Sequence, residues 1–140
     1  MAITIHVDIV SAEAEIFSGA AEMVYAPAEM GEVGIAPMHC PLVTHLRPGE
    51  VRVDPGNGQK MRHFYVSGGI LEVQPYTVTV LADTAIRAAD LDEAAALEAK
   101  RRAEDALAGH TADMEFAKAQ VELQQAAAQL RTIESLRKRS

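Results

Sequence analysis

The chain has 140 residues, 49% hydrophobic and 24% charged, which suits one ordinary folded domain or a small domain with an appendage and excludes a disordered chain. Thirteen basic residues against twenty acidic ones leave a formal charge of −7, which argues against a general nucleic-acid binder. The single cysteine rules out an internal disulfide and fits a reducing compartment, and no apolar run approaches the roughly 20 residues that cross a bilayer.

The start, "MAITIHVDIV", alternates: Ile5, Val7 and Ile9 point one way, Thr4, His6 and Asp8 the other. It predicts a strand rather than a leader peptide, and a cytosolic protein. Short strand-like runs follow at "EIFS", "AEMVYAP", "LVTHL", "EVRVD", "RHFYVSGGILEVQP" and "TVTVLAD". Asp54-Pro55-Gly56-Asn57-Gly58 predicts a hairpin turn, because Gly and Asn tolerate positive φ and Pro presets φ. Gly68-Gly69 predicts a bulge or tight bend between strands. Eight to ten short strands at this spacing predict an antiparallel sandwich or barrel over residues 1–86. With aromatics at 4% and no tryptophan, its core must be aliphatic.

The period changes over 87–140, where helix formers dominate. Asp90 and Glu93 predict a capped start, and Gly109 a stop, for a first helix of about 91–107, with Ala96, Ala99, Ala103 and Ala106 on one face. Thr111 is the expected cap of a second helix of about 112–138, with Asp113 in its first turn and Phe116, Leu123, Ala127, Leu130 and Ile133 on a stripe. The short link makes the two an antiparallel hairpin. Its alanine seam buries little area, so it should be conditionally stable and able to repack against another surface. The last ten residues carry Arg131, Arg137, Lys138 and Arg139 against Glu134 alone, a basic tip suited to an acidic protein surface.

"GEVGIAPMHCPLV", residues 31–43, holds the densest chemistry. His39, Cys40, His45 and His63 are soft ligands, but they lack the paired spacing of zinc sites, and adjacent His39 and Cys40 diverge on an extended chain. A Cys-His nucleophile has its minimum inventory but no local signature, and Cys40 reads as a small packing residue under a loop. "VSGGILEV" lacks the pattern and the following helix of a phosphate cradle, and Lys100-Arg101-Arg102 reads as a solvated helix face. Gly31, Gly34, Pro37 and Pro41 instead suggest a shaped loop, on which exposed Ile35, Met38 and Leu42 would make a small apolar contact patch.

Together with "VSGGILEVQP" and "VTVLADTAIRAADLDEAAALEAKRRAE", this segment resembles the epsilon-subunit family of bacterial F-type ATP synthases, counterparts of the mitochondrial delta subunit. The resemblance covers essentially the whole chain. It implies an all-β N-terminal sandwich of about ten strands plus a C-terminal antiparallel two-helix hairpin. It also implies a non-catalytic subunit of the rotor's central stalk, on the cytoplasmic face of the bacterial inner membrane and held there only through the complex. The sandwich would bind the gamma subunit and the c-subunit ring, with Gly31, Glu32, Gly34, Ile35, Pro37, His39 and Leu42 at the contact. The hairpin would fold against the sandwich or extend into the head of alpha and beta subunits and block ATP hydrolysis, with Arg131, Arg137, Lys138 and Arg139 meeting the beta subunits. Some relatives bind ATP through an I/L-D-x-x-R-A pattern. Here Leu91 and Asp92 remain, and Arg102 lies further on, but Ala95 replaces the pattern's arginine. ATP is therefore expected to bind weakly or not at all, and no other cofactor is expected; the alternative reading is an ATP-sensing module built on the hairpin.

Overall fold

The alternation read from "TIHVDIV" is realised in a strand whose odd positions, Ile5, Val7 and Ile9, are fully buried. The structure, a computed structural model, describes residues 3–109 and 113–139, and side chains for all of these except 113–115 and 139. Ten strands run in order: β1 (Ile5–Ser11), β2 (Glu15–Ala21), β3 (Met23–Ala28), β4 (Gly31–Ile35), β5 (Leu42–Leu46), β6 (Gly49–Asp54), β7 (Arg62–Val66), β8 (Gly69–Val73), β9 (Thr77–Ala82) and β10 (Ala85–Arg87). A 3₁₀ turn (Ala88–Asp90) then leads into α1 (Glu93–Ala108) and α2 (Asp113–Arg139).

The strands form two layers. One has the order β10-β7-β6-β3-β4, the other β5-β8-β9-β1-β2, and the single pair Ala28↔Leu46 between β3 and β5 joins them. Between the layers lie Ile5, Val7, Ile9, Val24, Ile35, Val51, Val53, Phe64, Val66, Leu71, Val73, Val78 and Val80, an aliphatic core with one aromatic ring. Among the described residues, no helical one belongs to this core. The expectation of a purely antiparallel sandwich fails at one place: β1 pairs β9 in parallel, from His6↔Thr77 to Ser11↔Ala82. Those strands are far apart in sequence, so no hairpin dictates their relative direction.

The turn at 54–58 has the predicted backbone, with φ of 74° at Gly56, 55° at Asn57 and 76° at Gly58. The Gly56 N–H donates to Asp54 Oδ1 at 2.9 Å, and the turn joins antiparallel β6 and β7. Gly68-Gly69 is a tight bend rather than a bulge: it carries the chain from β7 in one layer to β8 in the other.

Helix α1 starts later than the sequence suggests. Asp90 closes the 3₁₀ turn, Leu91 is extended, and Asp92 is the cap, its Oδ1 accepting from the Ala95 N–H at 3.1 Å. The short turn that leaves β10 takes up Ala88–Asp90, so Asp90 is not free to cap. Replacing Asp92 by Ala should destabilise the hairpin by about 1 kcal/mol, the usual worth of such a cap, read from the helical signal in a urea titration. At the other end the Gly109 N–H donates to Asp105 O at 3.1 Å. Thr111, expected to cap α2, lies outside the described residues.

On α1 the buried face narrows to Ala96 and Ala103, with Ala99 half-buried and Ala106 exposed. On α2 the buried residues are Ala119, Ala126, Ala128, Thr132 and Ile133, whereas Phe116, Leu123, Ala127 and Leu130 are only half-buried. The single stripe expected for α2 is split because this helix packs on α1 and on strands β6 and β7 at once. Buried Thr132 satisfies its hydroxyl by donating to Ala128 O at 2.8 Å.

Candidate functional site

Two faces of the sandwich remain once the core is filled, and they differ in what covers them. On the β3-β6-β7 face the cross-strand row Tyr25–Arg52–His63 and the neighbouring pair Glu50–Tyr65 point toward α2. Glu50 is the hub. Its Oε1 accepts from Ser135 Oγ of α2 at 3.0 Å and lies 3.4 Å from Arg52 Nε, while its Oε2 lies 3.1 Å from His63 Nδ1. Arg52 also pairs with Glu32 of β4 and stacks its guanidinium on Tyr25, 4.5 Å from the ring centroid. Burial under the helix pushes the Tyr65 phenol above its ordinary 10.0, partly offset by a hydrogen bond from Gln129. The hairpin is thus docked on this face through polar groups, and the buried residues of the later half of α2 are Ala126, Ala128, Thr132 and Ile133.

Sequence reasoning misses this junction, apart from His63, which it weighs only as a soft ligand. A signal is present in "RHFYV". Four successive buried residues, His63 to Val66, mark a strand covered on both sides.

The opposite face, on β5-β8-β9-β1-β2, is covered by no helix among the described residues. Its outward rows are set by register. One is His45–Ile70–Leu81–Val10, the next Val43–Glu72–Thr79–Asp8–Ser18. In the first row Leu81 is 47% and Ile70 40% exposed, an apolar pair, and in the second Val43 is 70% exposed beside Glu72. At the other end of the second row the Ser18 hydroxyl donates to Asp8 Oδ1 at 2.7 Å, and His6 Nε2 lies 3.0 Å from the same oxygen. The same nitrogen lies 3.2 Å from Ser18 Oγ, but an Nε2–H given to the Asp8 carboxylate has no lone pair to take the hydroxyl proton, so the arrangement does not activate a nucleophile.

The segment 31–43 is not one loop. Gly31 holds φ 131° at the β3–β4 turn, and Gly31–Ile35 is an edge strand with Glu32 and Gly34 facing out and Val33 and Ile35 in. Ile35 is fully buried and Leu42 half-buried against the core, which corrects their expected exposure. Only Met38 of that expected patch is well exposed, joined at the same end of the sandwich by Tyr76. The true loop is 36–41. Met38 adopts φ 70° and its N–H donates to Pro75 O at 2.8 Å, while half-buried Pro37 and exposed Pro41 flank it. His39 Nδ1 donates to the Cys40 carbonyl at 2.7 Å. Cys40 is exposed, not packed under the loop, because it precedes the first core-facing position of β5. His39 and Cys40 on this loop, His45 on the uncovered face and His63 under α2 do not converge.

Of the terminal cations, Arg137 pairs with Glu93 at the start of α1, with Nη1–Oε1 at 3.1 Å, and Lys138 pairs with Glu134 on its own helix at 3.2 Å. Arg131 is exposed beside the β3–β4 turn, and the side chain of Arg139 lies outside the described residues. Leu91, Asp92 and Arg102 are not brought together around a ligand. Asp92 is a helix cap, whereas Arg102 lines a cleft between the helices opposite Glu122, with Gln125 and Gln129. One cation facing one carboxylate is a poor setting for a triphosphate. No described helix is long and apolar enough to cross a membrane.

Residues 4–88 match the family "ATP synthase, Delta/Epsilon chain, beta-sandwich domain", and residues 89–134 match "ATP synthase, Delta/Epsilon chain, long alpha-helix domain". The chain belongs to the epsilon-chain family of ATP synthase. The ATP synthase epsilon chain of Nitrosococcus oceani is 63% identical over 139 residues, covering 99% of both chains. Epsilon chain 1 of Methylococcus capsulatus is 64% identical over 138 residues, covering 99% of this chain and 98% of that one. A chain in the Euglena gracilis mitochondrial ATP synthase structure, OSCP/F1/c-ring in rotational state 1, shares the fold with a TM-score of 0.80 at 18% identity, over 95% of this chain and 81% of that one. As an epsilon chain the protein is a non-catalytic subunit of the ATP synthase complex, and the sandwich-plus-two-helices architecture implied by the resemblance is the one observed.

Proposed function

We propose that this epsilon chain is a central-stalk rotor subunit that couples ion flow through the c-subunit ring to ATP synthesis and restrains ATP hydrolysis through its hairpin. What carries the reading is the asymmetry of the sandwich: one face is covered by its own helices through polar contacts, while the other leaves the row His45–Ile70–Leu81–Val10 uncovered. The uncovered row suits permanent docking on the gamma subunit, and the edge strand β4 with loop 36–41 forms a border that suits the ring. On that border Gly31, Gly34 and Pro37 shape the chain, Glu32 and His39 supply polar contacts, and Ile35 and Leu42 anchor it to the core. The complex places the subunit on the cytoplasmic face of the inner membrane, next to the alpha and beta subunits of the head.

The docked hairpin is the regulatory element. Released from Glu93, Arg137 joins Arg131, Lys138 and Arg139 as a basic tip for an acidic surface of the beta subunits. Replacing Ile70 and Leu81 together by Asp tests the docking face. The isolated chain should keep its fold, since both side chains are exposed, but its incorporation into complexes lacking epsilon should drop by tenfold or more, as expected from losing about 1.4 kcal/mol or more at an interface centre. Undiminished incorporation would remove gamma from this face.

The ATP-sensing alternative finds no converging cations in the interhelical cleft. Calorimetry on the full chain should accordingly show ATP binding no tighter than about millimolar, where affinity is worth only about 4 kcal/mol. Micromolar binding would favour the sensor.

A further inference from the structure

A second cleft, of about 530 Å³, opens where the later half of α2 passes over the β3–β4 turn and the β5–β6 connection. Its charged and polar lining comes from Glu32, Glu50, Arg47, Arg131, Gln124 and Ser135. The two carboxylates are already committed. Glu32 is paired with Arg52, and Glu50 is held by Arg52, His63 and the Ser135 hydroxyl. Neither Arg47 nor Arg131 has an ion-pair partner among the described residues. Arg47 is also fixed at its backbone, where its N–H donates to Pro27 O at 2.9 Å, and Pro48 stiffens the chain beside it.

We infer that this cleft is a binding site for a small phosphate- or carboxylate-bearing anion, received between the guanidinium groups of Arg47 and Arg131. Glu32 and Glu50 share Arg52, so with Arg47 and Arg131 the two carboxylates face three guanidinium groups, and the balance of charge at the cleft is +1. This occurs on a chain whose overall charge is −7, so the cleft is not a by-product of general basicity. Guanidinium groups present planar pairs of donors that match an oxyanion, and such charge-assisted bonds are roughly twice as strong as neutral ones. The volume lies within the usual range for small-ligand sites and exceeds what a single phosphate fills, which points to a polyanion. The site differs from the cleft between the helices that holds Arg102, since no lining residue is shared. One arginine belongs to the sandwich and the other to α2, so a bound anion ties the two together. That consequence rests on the reading of the hairpin as a moving element, whereas the binding itself does not.

The test is titration of the full chain with inorganic phosphate, pyrophosphate and citrate, followed by amide NMR shifts and calorimetry. Saturable shifts are expected at Gly31, Gly49 and around Arg131, and the double variant Arg47→Ala/Arg131→Ala should weaken binding at least tenfold with an unchanged melting curve. Arg102→Ala should leave binding unaltered. Response to the phosphates alone, or to citrate alone, identifies which oxyanion the site takes, and either supports the inference. No saturable response to any of the three by about 10 mM overturns it, as does binding that survives the double variant or disappears with Arg102→Ala. Amide exchange over residues 124–135 reads the second step: slowing by the anion supports the tie to the hairpin, and binding without slowing removes that tie while the site stands.

Discussion

ATP hydrolysis by the assembled complex is expected to rise when residues 90–140 are removed, with assembly and ATP synthesis largely retained. The retained part should fold, because every member of the hydrophobic core lies between Ile5 and Ala85. The lost contacts include the Glu50–Ser135 and Tyr65–Gln129 hydrogen bonds and the burial of Ala128, Thr132 and Ile133 on α2. Alanine methyl groups bury little area, and each polar contact is worth only about 1 kcal/mol net. The docked hairpin is therefore held by a small difference, which a competing surface in the catalytic head can reverse. A bias of one or two kcal/mol corresponds to about a 5- to 30-fold shift between two arrangements, and that is the scale of activation expected in saturating ATP. Truncated complex that hydrolyses ATP no faster than intact complex under every nucleotide condition would sink the inhibitory role. A collapse of assembly instead would show that the hairpin is needed to build the stalk. Exposed His63 and Tyr65 on the bare sheet are the residues to inspect in that case, since the helix is what covers them.

Strands, the hairpin turn and the helical hairpin are legible in the sequence because their causes are local. Side-chain alternation fixes Ile5, Val7 and Ile9 inward, and positive φ at Gly56, Asn57 and Gly58 fixes the turn. The parallel pairing of β1 with β9 is not legible, because a strand's partner is decided by long-range closure of the layer. Helix capping slips by two residues, from Asp90 to Asp92, for a related reason: the exit from β10 takes up three residues as a 3₁₀ turn, and nothing in "RAADLD" marks which Asp is left over. The glycines and prolines of 31–43 suggest a loop, yet Val33 and Ile35 already alternate with Glu32 and Gly34 in strand fashion. At the candidate site, the basic tip is visible as charge. Its pairing of Arg137 with Glu93 is not, since the two ends of the hairpin meet only after it closes. The free and covered faces of the sandwich are equally hidden, because alternation separates inside from outside but says nothing about which outside meets a helix.

Replacing Gly69 by Ala should be the most damaging single change to the isolated chain. Gly69 adopts φ 138°, a conformation that L side chains rarely occupy, at the crossing between the two layers. A β-carbon there would lie 2.1 Å from Leu81 O and 2.8 Å from the Ala82 α-carbon, both backbone atoms of β9. They cannot retreat without opening the ladder at its Gly69↔Ala82 pair, next to buried Leu71 and Val80. Backbone strain of about 1–3 kcal/mol then adds to lost sheet bonds and loosened packing, against a total stability of about 5–15 kcal/mol for a domain of this kind. The expected outcome is a urea midpoint lowered by more than about a third, or a chain recovered only as aggregate. Gly58→Ala is the control that separates strain from collision. Gly58 also has positive φ, 76°, but a β-carbon added there would meet nothing within 4 Å, so this variant should lose only about 1 kcal/mol. Equal and small losses at both positions would mean that β9 yields to the new methyl group, and that the crossing between the layers is not a rigid joint.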